Sequence, residues 1–202
     1  MLAFNKKKLL DGYFQRFGPL TNELVEAFAF LFAKIGSDQN FNDSDTDRRK
    51  LAYCLATFKW ETAHTMRPID ERGGDTYFNK RYGPQTSVGK MLGNTKAGDG
   101  ALYHGRGYVQ ITGRRNYAKA KTLTGVDLIS EPDRAKEPDI AYQIAMQGMK
   151  DGWFTGKKLA NYFVGDTADY FNARKIINGH DQAEKIADIA RGYSEILREA
   201  KA

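Results

Sequence analysis

The stretch SDTDRRKLAYCLATFKWETAHTMRPIDERGG, residues 44–74, sets the architecture of the chain. Its first four residues, Ser44-Asp45-Thr46-Asp47, offer several helix N-caps and put acids in the first turn, where they oppose the positive end of the helix dipole. Leu51, Leu55, Phe58 and Thr62 then fall on one side of a helix. At about 100° per residue, Glu61 lies at the edge of that stripe, on the side of Cys54. Pro68 disfavours helix through Arg67, so the spacing predicts a helix that ends near His64 or Met66. Beyond it glycines recur at 73, 74, 83, 89, 93, 98, 100, 105 and 107, and helical spacing is lost until residue 114.

Helices are expected on both sides. Residues 5–17 read as one, stopped by Gly18-Pro19. Thr21 or Asn22 caps the next, whose buried face is Leu24, Val25, Phe28, Leu31, Phe32 and Ile35 and which Gly36 ends. Tyr108-Val109-Gln110-Ile111-Thr112 reads as a strand closing a glycine-rich, partly β insertion over 69–112. Further helices are predicted at 114–124, 138–152, 157–163, 167–175 and 181–200. The fold class is mainly α (α+β): one domain over 1–202, two-lobed and helical, with a helical N-terminal cap at 1–40 and a small β-hairpin or sheet region lining a cleft.

Of the 202 residues 41% are hydrophobic and 12% aromatic, enough for a packed core and too much for a disordered chain. The single cysteine, Cys54, excludes an internal disulfide and reads as an inert core thiol. The longest apolar stretch, Ala27 to Ala33, is far short of the roughly 20 residues that span a bilayer. No apolar stretch of the signal-peptide kind follows Lys6-Lys7-Lys8. The expectation is a cytoplasmic monomer without stable membrane insertion, which reaches a cell wall by a separate pore or by lysis. The net charge of +6 favours a polyanionic partner. The basic residues form short separate clusters (Lys6-Lys7-Lys8, Arg48-Arg49-Lys50, Arg114-Arg115, Lys157-Lys158) without interleaved aromatics, so each reads as a solvated face and no nucleic acid is expected.

Three segments can carry chemistry. The first is Trp60-Glu61-Thr62-Ala63-His64 with Asp70-Glu71 after the turn at Pro68. Hydrolysis of a glycosidic bond needs one carboxylic acid to protonate the leaving oxygen and one carboxylate to activate water or attack the sugar. Glu61 sits at a helix end beside apolar residues, where desolvation would keep it protonated. Glu71 can face it across a cleft. The competing reading makes Glu61 a surface acid and Glu71 a partner of Arg72. Trp60 stands where a zinc-protease helix needs histidine, and Glu61-x-x-His64 is a single copy of a di-iron pattern that needs two, so no metal and no cofactor are expected. The second segment, Gly105-Arg106-Gly107-Tyr108-Val109-Gln110-Ile111-Thr112-Gly113, lacks the third glycine of a dinucleotide loop and runs into a strand instead of a helix. On a strand Gln110 and Thr112 point to the same side and can bond a sugar amide or a water. The third, Ile176-Ile177-Asn178-Gly179-His180, is first of all a turn.

In this order and separation, Lys59-Trp60-Glu61-Thr62-Ala63, then Gly105 to Gly113 continuing through Arg114-Arg115-Asn116-Tyr117, then Ile176-Ile177-Asn178-Gly179, the chain resembles glycoside hydrolase family 19. That family holds chitinases and chitinase-like phage endolysins. The resemblance implies a lysozyme-like fold and an inverting mechanism with Glu61 as general acid and Glu71 as the second carboxylate, Asp70 being the alternative. It implies that Thr112 and Asn178 hold the water and that Gln110 and Asn116 bind substrate. Trp60, His64 and Tyr108 are further candidate substrate contacts, and Arg191 a candidate structural arginine near the acids. An inverting site needs its carboxyl groups about 6.5–9.5 Å apart. Charge, the missing leader and the missing disulfides together favour bacterial peptidoglycan as the polysaccharide partner, in the manner of an endolysin, with chitin the alternative. A non-catalytic wall-binding relative is the rival from another class.

Overall fold

A computed structural model describes residues 2–202. Its helices are α1 (Lys6–Phe17), α2 (Asn22–Ser37), α3 (Asp45–Glu61), α4 (Asp75–Tyr82), α5 (Ser87–Met91), α6 (Asp99–Leu102), α7 (Arg114–Thr124), α8 (Pro138–Asp151), α9 (Tyr170–Ala173) and α10 (Ala183–Glu199). Four two-residue strands, β1 (Ile69–Asp70), β2 (Arg106–Gly107), β3 (Phe163–Val164) and β4 (Thr167–Ala168), form two antiparallel pairs, β1 with β2 and β3 with β4. The mainly helical class is as expected. The chain divides into two compact units, one of residues up to Met66 together with Met149–Ala202, the other of Arg67–Gly148. No helix among the described residues is long and apolar enough to cross a membrane.

In the first unit the caps of α2 and α3 are among those the sequence offers, and Asn5, read as the first helical residue, is the cap of α1. Asn5, Thr21 and Ser44 accept from the backbone N–H groups of Lys8, Leu24 and Asp47, which satisfies donors that a helix start leaves free. Helix α3 does not present a single apolar stripe. Leu51, Ala52, Tyr53, Cys54, Leu55, Ala56 and Phe58 are all fully buried, so it is a central helix covered on every side. It packs along α10, and α10 packs in turn on α1 and α9. The predicted end near His64 or Met66 is corrected to Glu61. The Thr62 hydroxyl donates to the Phe58 carbonyl and accepts from the Met66 N–H, closing the helix. Ala63, His64 and Met66 then adopt left-handed φ values of 49°, 69° and 55° that no helix tolerates. Residues 157–163 are also corrected. Instead of a helix they form a 3-10 turn at Leu159–Asn161 and enter β3 at Phe163. The helix predicted over 167–175 is cut to α9, which Asp169 caps, and continues as a 3-10 turn over Arg174–Ile176.

The second unit holds the glycine-rich insertion. It contains more helix than the lost periodicity foretold, since α4, α5 and α6 are each too short to show a repeat. Tyr103, Ile111, Tyr117, Leu128, Ile140 and Ile144 are among the buried residues of its core. The strand predicted at Tyr108–Thr112 is absent. Arg106 and Ile111 exchange hydrogen bonds in both directions, at 3.2 and 2.9 Å, and close a tight turn in which Gln110 has φ 55°. Tyr108 and Val109 are aromatic and β-branched, so they read as strand. Here burial of their side chains in a turn satisfies them instead, at 1% and 4% exposure.

One buried charge in the first unit is unusual. Lys59, 7% exposed, points its ammonium at the rings of Tyr13 and Phe17, 4.7 and 5.0 Å from their centroids, and donates to the Tyr13 hydroxyl. Burial pushes the ammonium down to about 8, against about 10.4 for an exposed lysine. Between those values the unfolded chain holds the extra proton, so stability rises with pH there. Relative to Lys59→Met, the parent should gain roughly 1–3 kcal/mol between pH 7.5 and 10.5 in urea unfolding; a difference that stays flat with pH would refute this account of Lys59.

Candidate active site

Glu61 is the last helical residue of α3, and its side chain is 16% exposed. Its environment is not purely apolar. The Arg174 guanidinium, 3% exposed, donates to Oε1 of Glu61 at 2.6 Å and through Nε to the Asp181 carbonyl. Arg174 is held against α3 because the Tyr53 hydroxyl donates to the carbonyl of the preceding residue, Ala173, at 2.8 Å. This arginine had no sequence signal, being 113 residues from its partner. Arg191, expected near the acids, is an exposed residue of α10 whose ion partner is Glu184 at 3.6 Å. Trp60 meets His64 edge-on and lies under the Lys185 ammonium. Asn178 is exposed, and its backbone N–H bonds the Arg174 carbonyl, so it follows directly on the turn that carries the guanidinium.

Glu71, in the second unit, is held at three points. It follows β1, and its N–H donates to the Gly105 carbonyl at 2.7 Å. The Gly105 N–H returns a bond to Oε2 at 3.1 Å, and the Tyr82 hydroxyl donates to Oε1 at 2.7 Å. A Cβ at Gly105 would sit 3.0 Å from Oε2 and from the Gln110 side-chain oxygen, so a larger residue would push on the side chains of Glu71 and Gln110. Asp70 is held quite differently. Lys136 reaches Oδ2 at 2.7 Å, and Arg106 and His104 reach Oδ1 at 3.3 Å each. Burial would raise the Asp70 carboxyl, but Lys136, His104 and Arg106 together hold it below the ordinary range. Of the two adjacent acids, then, one is locked among cations and the other rests on neutral donors. A general base must take a proton onto a carboxylate lone pair, which neighbouring cations oppose, so Glu71 is the better suited of the two. Both line an open cavity of about 1000 Å³ in this unit, whose charged lining is mixed, four basic side chains and His104 against five acids.

The turn over residues 106–111 behind Glu71 is built of internal bonds. Gln110 donates from Nε2 to the carbonyls of Ile69 and Gly107, so its amide hydrogens brace β1 and β2 and are not offered outward. The Thr112 hydroxyl donates to the Gln110 carbonyl, and Asn116 donates to the Thr112 carbonyl. Thr112 keeps its oxygen lone pairs, and Asn116 its side-chain oxygen, for other partners. Tyr108 is buried and presents no ring surface for substrate. Tyr82 and Gly105 complete the Glu71 site. Gly105 opens the second motif, but Tyr82 does not stand out in sequence, because its contact joins the last residue of α4 to a loop eleven residues earlier. Among the described residues, no group of three or more His, Cys, Asp or Glu side chains is arranged to hold a metal ion.

The sequence pattern of the chitinase class I family, glycoside hydrolase family 19, matches residues 21–158. The chain belongs to this family. The family 19 match takes in Glu61, Asp70, Glu71, Gln110, Thr112 and Asn116 and leaves out α1, Arg174, Asn178 and α10. Among curated relatives, the acidic endochitinase SP2 of Beta vulgaris is 28% identical over 156 residues, which is 76% of this chain and 50% of that protein. An endochitinase of Arabidopsis thaliana is 39% identical over 61 residues, 30% of this chain and 20% of its own length. The chain thus spans half or less of the curated relatives it matches. Among solved structures, chitinase C of Streptomyces griseus superposes with a TM-score of 0.61 at 19% identity, over 96% of this chain and 91% of that one. A bacterial family 19 chitinase does so with 0.64 at 18%, over 93% of each. These confirm the family 19 fold.

The Arg174–Glu61 pair is largely desolvated, and removing one partner leaves the other charge uncompensated. Arg174→Met is expected to cost about 3 kcal/mol, and the double variant with Glu61→Gln to recover about 1–3 kcal/mol of non-additivity. Strictly additive losses in a double-mutant cycle of urea unfolding would show that the bridge does not couple the two residues.

Proposed function

We propose that this family 19 chain is a chitinase-type glycoside hydrolase that cleaves β-1,4-linked N-acetylglucosamine polymers with inversion, Glu61 acting as general acid and Glu71 as general base. The observation that carries the reading is the Glu71 carboxylate, fixed by two neutral donors and a backbone bond on the wall of an open cavity. In an inverting reaction Glu61 takes up a proton before the step and gives it to the bridging oxygen, and Arg174, its partner in the structure, stabilises the carboxylate left behind. The base takes a proton from a water that attacks the anomeric carbon from the opposite face. Thr112, through its free lone pairs, and Asn178 are the proposed holders of that water. Arg174 keeps the Glu61 side chain in one orientation, and Trp60 and His64 are proposed sugar contacts.

Chitin is the substrate this reading favours. The curated relatives and the solved structures are named as chitinases, and family membership covers the segments that hold both acids. Peptidoglycan is the second reading, favoured by the net charge of +6. That charge is not gathered around Glu71, where acids outnumber bases, so the local field gives an anionic glycan no advantage there.

The test is digestion of chitin hexasaccharide and of purified peptidoglycan, with the newly formed anomer read by NMR before mutarotation. The expectation is α-anomeric product from the chitin oligomer, little release from peptidoglycan, and a fall in kcat of at least about 100-fold for Glu61→Gln and for Glu71→Gln. Initial β-anomer would overturn inversion. Muropeptide release exceeding chitin turnover would transfer the assignment to peptidoglycan, and undiminished turnover in either variant would remove that residue from the mechanism.

A further inference from the structure

We infer that Tyr82 is the positioning residue of the base: its hydroxyl holds the Glu71 carboxylate aimed, an inference that rests on the proposed role of Glu71. The hydroxyl donates to Oε1 at 2.7 Å while the Gly105 N–H donates to Oε2 at 3.1 Å. Each carboxylate oxygen thus accepts one bond from a fixed neutral donor. With one oxygen pinned by backbone and the other by the phenol, the carboxyl plane cannot rotate, and the lone pairs left over keep a fixed direction. Gly105 alone would fix a single point and leave the plane free to turn about it.

Tyr82 is suited to this because it is itself immobile. It is the last residue of α4 and is buried, 8% exposed. Asn94, 3% exposed, donates to its carbonyl at 2.7 Å and accepts from the Arg114 N–H at 2.8 Å, tying the end of α4 to the start of α7. Helix α5 presses on the same spot, where a Cβ at Gly89 would lie 2.0 Å from the Gly83 carbonyl oxygen and 2.4 Å from that of Tyr82. The ring stacks against Phe78, and the Arg81 guanidinium lies 5.3 Å from its centroid. Burial, then the bond to Glu71, raises the phenol well above its ordinary value, so it remains a neutral donor at any working pH. The other charged or titratable groups about the pair are Arg81 and Tyr77 on α4, Asp70 beside Glu71 and His104 before Gly105, and the variants below leave all of them in place.

The test compares parent, Tyr82→Phe, Glu71→Gln and a control, Tyr103→Phe, which removes another buried tyrosine hydroxyl of the same unit that bonds only the Ile129 carbonyl. Each is assayed on chitin hexasaccharide for kcat and KM across pH, with thermal unfolding followed in parallel. Tyr82→Phe should lower kcat by roughly 10-fold or more with KM within about 2-fold. Tyr103→Phe should leave both kcat and KM within about 2-fold of the parent. If Tyr82→Phe keeps the parent's kcat while Glu71→Gln is inactive, the positioning role is wrong and the base survives. If Glu71→Gln retains activity, the base assignment fails first. An equal fall in kcat in both tyrosine variants also refutes the inference, since loss of any buried hydroxyl would then suffice.

Discussion

Burial of α3 is the constraint on which the first unit depends. From Leu51 to Phe58 the helix has no solvent face, so its axis and rotation are set by packing on α10 and not by surface interactions. Each of the large side chains in that run contributes on the order of 1.5–3 kcal/mol through removal from water. Glu61 is the first acid to emerge past this run, and its position is inherited from that packing. The Thr62 hydroxyl closes the helix immediately behind it. Three left-handed non-glycine residues in the next four positions then turn the chain away. Such conformations cost energy and persist where surrounding contacts over-determine them, here at the exit of the helix that carries the acid.

Two buried cations flank this helix end, and they are treated in opposite ways. Arg174 meets a carboxylate and a carbonyl, which compensate its desolvation. Lys59 meets two aromatic faces and a phenol but no acid. The ring quadrupoles recover part of what burial removes, and the remainder appears as the depressed affinity for its proton. Helix α1 supplies both rings and lies outside the segment matched by the family pattern.

In the second unit the same logic separates two neighbouring carboxylates. Asp70 and Glu71 are adjacent in sequence and share a cavity wall. The β1–β2 register pairs Asp70 with Arg106, which places it among cations. The next residue is turned onto the Gly105 amide and the Tyr82 hydroxyl. Environment gives identical functional groups different chemical capacities, and here one residue of register decides which acid is available.

What the sequence by itself determined is local. Caps at Thr21 and Ser44, the stop at Gly18 and the limits of α7 depend on contacts a few residues apart, and these leave a signature in composition and spacing. The ordered motifs were also readable, and the family they indicated is the one the chain belongs to. Tertiary structure decided the rest. Tyr108–Thr112 has the composition of a strand and forms a turn, because Ile111 folds straight back onto Arg106 of β2 and leaves the residues between them to be buried in the turn. Gln110 has the amide of a ligand contact and spends its hydrogens on the backbone. Arg174 reaches Glu61 across 113 residues, and Tyr82 reaches Glu71, which follows β1, from the end of α4. No pattern along the chain encodes those pairings, since they exist only once packing has fixed the elements that carry them.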